Sequence, residues 1–120
     1  MFTVAYVFRR PDSMTLDEFH HHYEHIHGPI ARKLPGLVSY IQNPIRKDTP
    51  PIWHIETDHG FDAMSIYTFE SDEAAETAFN SEVNKELQED SHKLIEFKGM
   101  LCLSLSPRTV KLPGDEGSDQ

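Results

Sequence analysis

Residues 15–42 read TLDEFHHHYEHIHGPIARKLPGLVSYIQ, and this stretch decides the fold because a helical period gives way within it to a strand. Thr15 followed by Glu18 is a capping-box pair, in which each side chain satisfies an amide at the start of a helix. Leu16, Phe19, Tyr23, Ile26 and Ile30 then recur at spacings of three and four, the signature of one buried helical face. Gly28-Pro29 is expected to bend or interrupt the helix, since proline offers no amide hydrogen, and Leu34-Pro35-Gly36 to end it. Leu37 to Ile45 reads as a strand.

Working outward, Phe2, Val4, Tyr6 and Phe8 alternate with Thr3, Ala5, Val7 and Arg9, a two-residue period that predicts a first strand ended by Pro11. Downstream, Pro50-Pro51 marks a long connection carrying Trp53, His54 and His59. A third strand is expected over Ala63 to Phe69. Ser71-Asp72 then opens a helical stretch that runs to about Ile95 and breaks near Asn80-Ser81. The last strand is expected from about Phe97 to Ser106, with Leu101, Leu103 and Leu105 on one face. The order is two strand–helix–strand halves, the pattern of a ferredoxin-like α+β fold with a four-stranded antiparallel sheet, both helices on one side.

Apolar side chains occupy both faces of the first and last strands: Ala5 and Val7 oppose Phe2, Val4, Tyr6 and Phe8, while Met100 and Cys102 oppose the three leucines. A face left bare of helices would expose an apolar patch, so a second copy is expected to cover it, sheet on sheet, in a homodimer. Residues 1–106 form the expected domain. Residues 107–120, ending PGDEGSDQ, have the composition of a disordered acidic tail.

The chain's 120 residues, 38% hydrophobic, suffice for one core. Its net charge of −9 is uneven: Met1 to Lys47 holds six Lys/Arg against four Asp/Glu, so the remainder carries −11. An acidic surface without a basic stripe repels nucleic acid and anionic membrane, and neither is an expected partner. The short apolar run Phe2 to Phe8 cannot span a bilayer, and a cytoplasmic protein is expected. A single cysteine, Cys102, forms no internal disulfide.

Five of the eight histidines lie between His20 and His27. At about 100° per residue the core arc takes Phe19, Tyr23, Ile26 and Ile30, with His27 and His20 on its edge; His21 and His25 fall on the far side and His22 on the opposite flank. His21 and His25 have the i, i+4 spacing of a metal pair, but no third ligand at helical spacing completes a site, and His20 and His27 are about 10 Å apart along the axis. No native metal is expected. His27 is singled out because it directly precedes the Gly28-Pro29 interruption, where an imidazole can face a cavity and exchange protons near neutral pH.

The segment from Glu18 to Gln42 resembles the signature of the EthD family of dimeric α+β barrel proteins: an aromatic-bearing helix, His-Gly-Pro, Leu-Pro-Gly, and a strand with Tyr-x-Gln. Phe19, Tyr23, His27, Gly28, Pro29, Leu34, Pro35, Gly36, Tyr40 and Gln42 carry the match, with Tyr23 where the family commonly has Trp. FDAMSIYTFESDEAAETAF, Phe61 to Phe79, is similar to the family's third strand and second helix. Ile66 and Thr68 stand where an acidic-aromatic pattern is frequent, so that strand supplies no carboxylate for His27.

The resemblance implies the same fold and dimer, with a small-molecule pocket between helices and sheet. Relatives in this superfamily include lactone isomerases, polyketide cyclases, decarboxylases and cofactor-independent monooxygenases. The expected function is therefore a cofactor-independent enzyme that acts by proton transfer on a small aromatic, lactone or polyketide-like metabolite, of the isomerase or lyase type. His27 would be the general acid or base, with His20 or Tyr40 as second proton carrier; Tyr23, Tyr6, Phe8, Gln42, Tyr67, Trp53 and His54 would line the substrate site. A non-catalytic binding protein of a degradation pathway and a cofactor-independent monooxygenase are the alternatives. The chain has no Gly-rich phosphate loop, and no cofactor is expected.

Overall fold

The computed structural model describes residues 1–48 and 55–116. Trp53 and His54 lie outside them. The chain forms β1 (Phe2–Arg9), α1 (Leu16–His22), a π-helical turn (Tyr23–His27), α2 (Gly28–Ala31), β2 (Leu37–Pro44), β3 (Ala63–Phe69), α3 (Asp72–Phe79), α4 (Glu82–Leu94) and β4 (Glu96–Leu105). All strand pairs are antiparallel, in the order β2-β3-β1-β4. This is the expected ferredoxin-like α+β architecture.

Local sequence accounts for the element ends. The capping box forms as its spacing predicts: Glu18 N–H donates to Thr15 Oγ1 at 3.1 Å and Thr15 N–H to Glu18 Oε1 at 2.8 Å. Ser71 and Ser81 cap α3 and α4 through Ala74 N–H and Asn84 N–H, which explains why the second helical stretch breaks at Asn80-Ser81. Gly36, after α2, has φ +73°, and a Cβ there would stand 3.0 Å from the Ala74 Cβ. Both the left-handed backbone and the close approach of α3 require glycine.

The helical stretch departs from the expected wheel at one point. Gly28 N–H donates to Tyr23 O, an i→i−5 bond, and this wider turn holds one residue more than an α-turn. Rotation about the axis is retarded accordingly. Ile26 swings out to 43% exposure, and His27 moves from the edge of the core face to its interior at 3%. The expected interruption at Gly28-Pro29 thus takes the form of a π turn just before it, and α2 begins on that pair.

Helices cover one sheet face. Val4, Tyr67 and Phe69 pack against Ala31, Leu34, Ala75 and Leu87, while Phe8, Phe19 and Tyr23 form an aromatic group with centroids 5.4–6.0 Å apart. Asp62, 2% exposed, ties the start of β3 to the end of β1: it accepts from Arg10 Nη1 at 2.6 Å and Arg10 N–H at 2.8 Å, with Lys47 Nζ at 3.2 Å. On the opposite face, Leu105, Leu103 and Leu101 of β4 stand beside Thr3, Ala5 and Val7, and these leucines are 39–44% exposed. No described helix is long and apolar enough to cross a membrane.

Candidate functional site

A cavity of about 150 Å³ lies between the sheet and α4, lined by Tyr6 and Phe8 of β1, His27, Ser65 and Tyr67 of β3, Leu87 and Ser91 of α4, and Met100 of β4 among others. Its lining is mostly apolar. Gln88 and Phe97 are exposed members of the lining, so the cavity opens between α4 and β4.

His27 Nδ1 is 2.8 Å from Oδ2 of Asp90, and Asp90 Oδ1 is 2.7 Å from Nε2 of His22. One buried carboxylate on α4 therefore binds two imidazoles. Holding Nδ1 as the protonated nitrogen, Asp90 leaves Nε2 of His27 with a free lone pair. Burial pushes the His27 pKa down, the Asp90 hydrogen bond and charge pull it back up, and His22 lowers it again; the net direction is down.

The four tyrosines cluster at and behind this cavity: Tyr6 and Tyr67 line it, while Tyr23 sits beside His27 and Tyr40 stacks on Tyr67. Tyr23 Oη and Ser65 Oγ hydrogen-bond at 2.6 Å. Gln42 Nε2 donates to Tyr40 Oη at 2.8 Å and to Tyr23 O at 2.7 Å, so the carbonyl at the π turn accepts a side-chain bond as well as the one from Gly28. Tyr67 stacks on Tyr40 with centroids 4.5 Å apart and meets Tyr6 edge to face at 5.7 Å. Burial pushes the Tyr6 phenol up to about 12 and those of Tyr23, Tyr40 and Tyr67 upward as well. These hydroxyls are hydrogen-bond donors throughout the physiological range.

Of the expected site residues, His27, Tyr6, Phe8 and Tyr67 line the cavity together. Tyr23 lies directly behind, at 6.2 Å between ring centroids from His27. Tyr40 and Gln42 line a separate open groove with Gly28, Pro29 and Arg32. His20 is not part of the cavity lining; its ring tilts against Phe19 at 5.9 Å, and Nε2 is buried without a hydrogen-bond partner among the described residues.

His22 stays on the flank where the wheel puts it, but that flank is covered: α4 packs across it, and the His22 side chain is 15% exposed and faces Asp90. Asp90 itself escaped the sequence reading, although it sits in the apolar stripe Val83, Leu87, Leu94 at the spacing of a core position. A carboxylate there is the signal that would have found it. Ser65 is the analogous polar residue in the inward alternation Ala63, Tyr67, Phe69. Among the described residues no three His, Cys, Asp or Glu side chains come together to hold a metal ion.

A ferredoxin-like sheet whose helical layer encloses a buried histidine in an apolar cavity defines the class. The EthD domain family model matches residues 11–98, and the chain belongs to the EthD family. Among solved structures, it is similar to an ethyl tert-butyl ether d (EthD) family protein from Bacillus halodurans, with TM-score 0.70, 20% identity, 90% of this chain covered and 100% of the other. HapK from Hahella chejuensis is similar with TM-score 0.66, 12% identity and 93% and 99% covered. A dimeric ferredoxin-like protein of unknown function from Jannaschia sp. CCS1 gives TM-score 0.62, 15% identity and 89% and 100% covered. At these identities the likeness shows the fold. No curated protein sequence matches the chain.

Proposed function

We propose that the protein is a homodimeric, cofactor-independent enzyme that moves a proton on a small aromatic, lactone or polyketide-like metabolite, with His27 as the general base. The observation that carries this reading is the His27–Asp90 pair at the wall of an apolar cavity: 2.8 Å between Nδ1 and Oδ2, both side chains buried. A neutral imidazole whose Nδ1–H is anchored on a carboxylate offers Nε2 as a base, and a depressed pKa keeps it unprotonated at neutral pH. Tyr67 and Tyr6 are protonated phenols in the same lining. They suit hydrogen bonds to an oxygen on which negative charge develops once an adjacent C–H bond loses its proton.

Size narrows the substrate. A cavity of about 150 Å³ is comparable to those that hold one benzene ring, so a single ring or small lactone fits and a larger polyketide must extend through the opening beside Phe97. A positioned base contributes roughly 10²–10⁴ in rate, which suits substrates whose C–H bond is already acidic.

The test is a thermal-shift screen of single-ring phenolic acids, lactones and aromatic ketones on wild type and His27→Ala, followed by incubation and product analysis of each hit. Stabilisation of both proteins with conversion by wild type alone is the expected result. A hit bound by both and converted by neither makes the cavity a binding site without chemistry, and oxygen consumption during conversion makes the reaction an oxygenation.

A further inference from the structure

His22 lies outside the cavity lining and has no part in the proton transfer proposed above, yet it holds the second oxygen of Asp90 at 2.7 Å. The Asp90 side chain is 6% exposed, and among the described residues its ion-pair partners are two histidines and no Lys or Arg. An ionised carboxylate taken out of water is strongly unfavourable unless a cation and good hydrogen bonds accompany it. Among the described residues the two rings are the groups within reach that can carry that cation.

We propose that His22 is the imidazolium that neutralises Asp90 and thereby keeps His27 a neutral base, so that His22 is a positioning residue of the site, acting through a shared carboxylate. This inference rests on the reading of His27 as the base. Solvation separates the two rings: the His22 side chain is 15% exposed and that of His27 is 3%. A charge is better tolerated on the outer ring, where water still reaches, than on the inner one beside an apolar cavity. A hydrogen bond from His27 Nδ1 to Asp90 requires only the neutral ring. With His22 cationic the carboxylate is already compensated, and a second proton on His27 would put two cations on one anion.

The groups that face His27 are few. Asp90 comes from α4 and His22 from α1, while the phenol of Tyr23 lies beside it on the same turn and those of Tyr6 and Tyr67 come from the sheet across the cavity. The Lys33–Glu86 pair that joins the turn after α2 to α4 at 3.3 Å is exposed, and its own charges cancel. Glu24 and His25, neighbours on the π turn, are exposed and turned to one another at 3.7 Å. The balance of charge around Nε2 of His27 therefore hangs on His22 and Asp90.

Removing the outer charge while keeping the hydrogen bond should transfer the proton inward. In His22→Gln an amide N–H still reaches Asp90, but the uncompensated carboxylate now draws a proton to His27. The His27 titration midpoint should rise by about one pH unit, a tenfold gain in proton affinity, at the lower end of what an opposite charge at hydrogen-bond distance produces. His22→Lys, which restores a cation, should return the midpoint to or near the wild-type value.

The experiment is ¹⁵N NMR of the histidine rings of the full chain from pH 5 to pH 8. Wild type at pH 7 is expected to show His27 as the neutral Nδ1–H tautomer and His22 as imidazolium, with the midpoint shifts above in the two variants. Two neutral rings in wild type, a cationic His27, or a His27 midpoint that does not move in His22→Gln would each overturn the proposal. The wild-type assignment decides the question by itself if His22→Gln does not fold. Failure here is distinct from failure of the function: a His27→Ala protein that still converts substrate defeats the base reading whatever the rings show, whereas an unmoved midpoint with His27→Ala inactive defeats only the role of His22.

Discussion

At the scale of single residues, the site turns on polar groups placed where the packing pattern asks for apolar ones. His27, Ser65 and Asp90 are each 2–5% exposed, and each has a polar partner at 2.6–2.8 Å. The choice of His27 was legible because it precedes Gly28-Pro29; its partner was not, because a lone Asp on a distant helix has no local spacing to announce it. Burial of His27 also predicts how stability depends on pH. Its folded pKa lies below the ordinary 6.5, so between those two values the unfolded chain binds the extra proton, and stability rises with pH there. The contribution is complete above about 6.5 and is lost as pH falls toward the folded value. The melting temperature of wild type should therefore fall more steeply from pH 7 to pH 5 than that of His27→Gln, whose side chain does not titrate. Parallel melting curves across that range would show that His27 is not held neutral by the fold.

Among the elements, the π turn is what converts a generic amphipathic helix into the wall of a site. The helix and its capping box were legible from short-range chemistry, whereas its end comes at Ala31, a turn before the Leu34-Pro35-Gly36 expected to stop it. The π turn was not legible, since an inserted residue leaves no compositional mark and a uniform 3.6-residue wheel carries Ile26 inward. Gly28 and Gln42 hold this geometry together. A Cβ on Gly28 would stand 3.2 Å from Gln42 Nε2, and that amide is already committed to Tyr23 O and Tyr40 Oη. Gly28→Ala should therefore cost about 1 kcal/mol, roughly one hydrogen bond weakened, despite the better helix propensity of alanine. Gly36→Ala should cost more, because it adds a left-handed backbone penalty of about 1–2 kcal/mol to a 3.0 Å approach to Ala74. Chemical denaturation of both variants measures this order; a stabilised Gly28→Ala would mean that Gln42 gives way freely and does not fix the turn.

Across the whole molecule, the two-sided apolar strands were the most informative feature of the sequence. Four strands and one helical layer follow from alternation and caps alone, whereas the sheet face that no described helix covers calls for a partner surface. In the centre of that face Thr3, Ala5 and Val7 are 1–6% exposed, shielded by their neighbours, while Leu101, Leu103, Leu105 and Ile41 remain 39–51% exposed on the flanking strands. A second copy laid sheet on sheet would cover these four. Leu103 is the residue to change, because it sits opposite Ala5 at the middle of the β1–β4 pairing and contributes nothing to the helical core. Leu103→Glu would set a carboxylate against its symmetry-related region in a dry interface, where an unpaired charge is expelled at a cost of several kcal/mol, yet in a monomer the same side chain is solvated. Sedimentation should therefore report a dimer for wild type and a folded monomer for Leu103→Glu, with circular dichroism unchanged. A variant that stays dimeric would place the subunit contact elsewhere, on the exposed edges of β2 or β4.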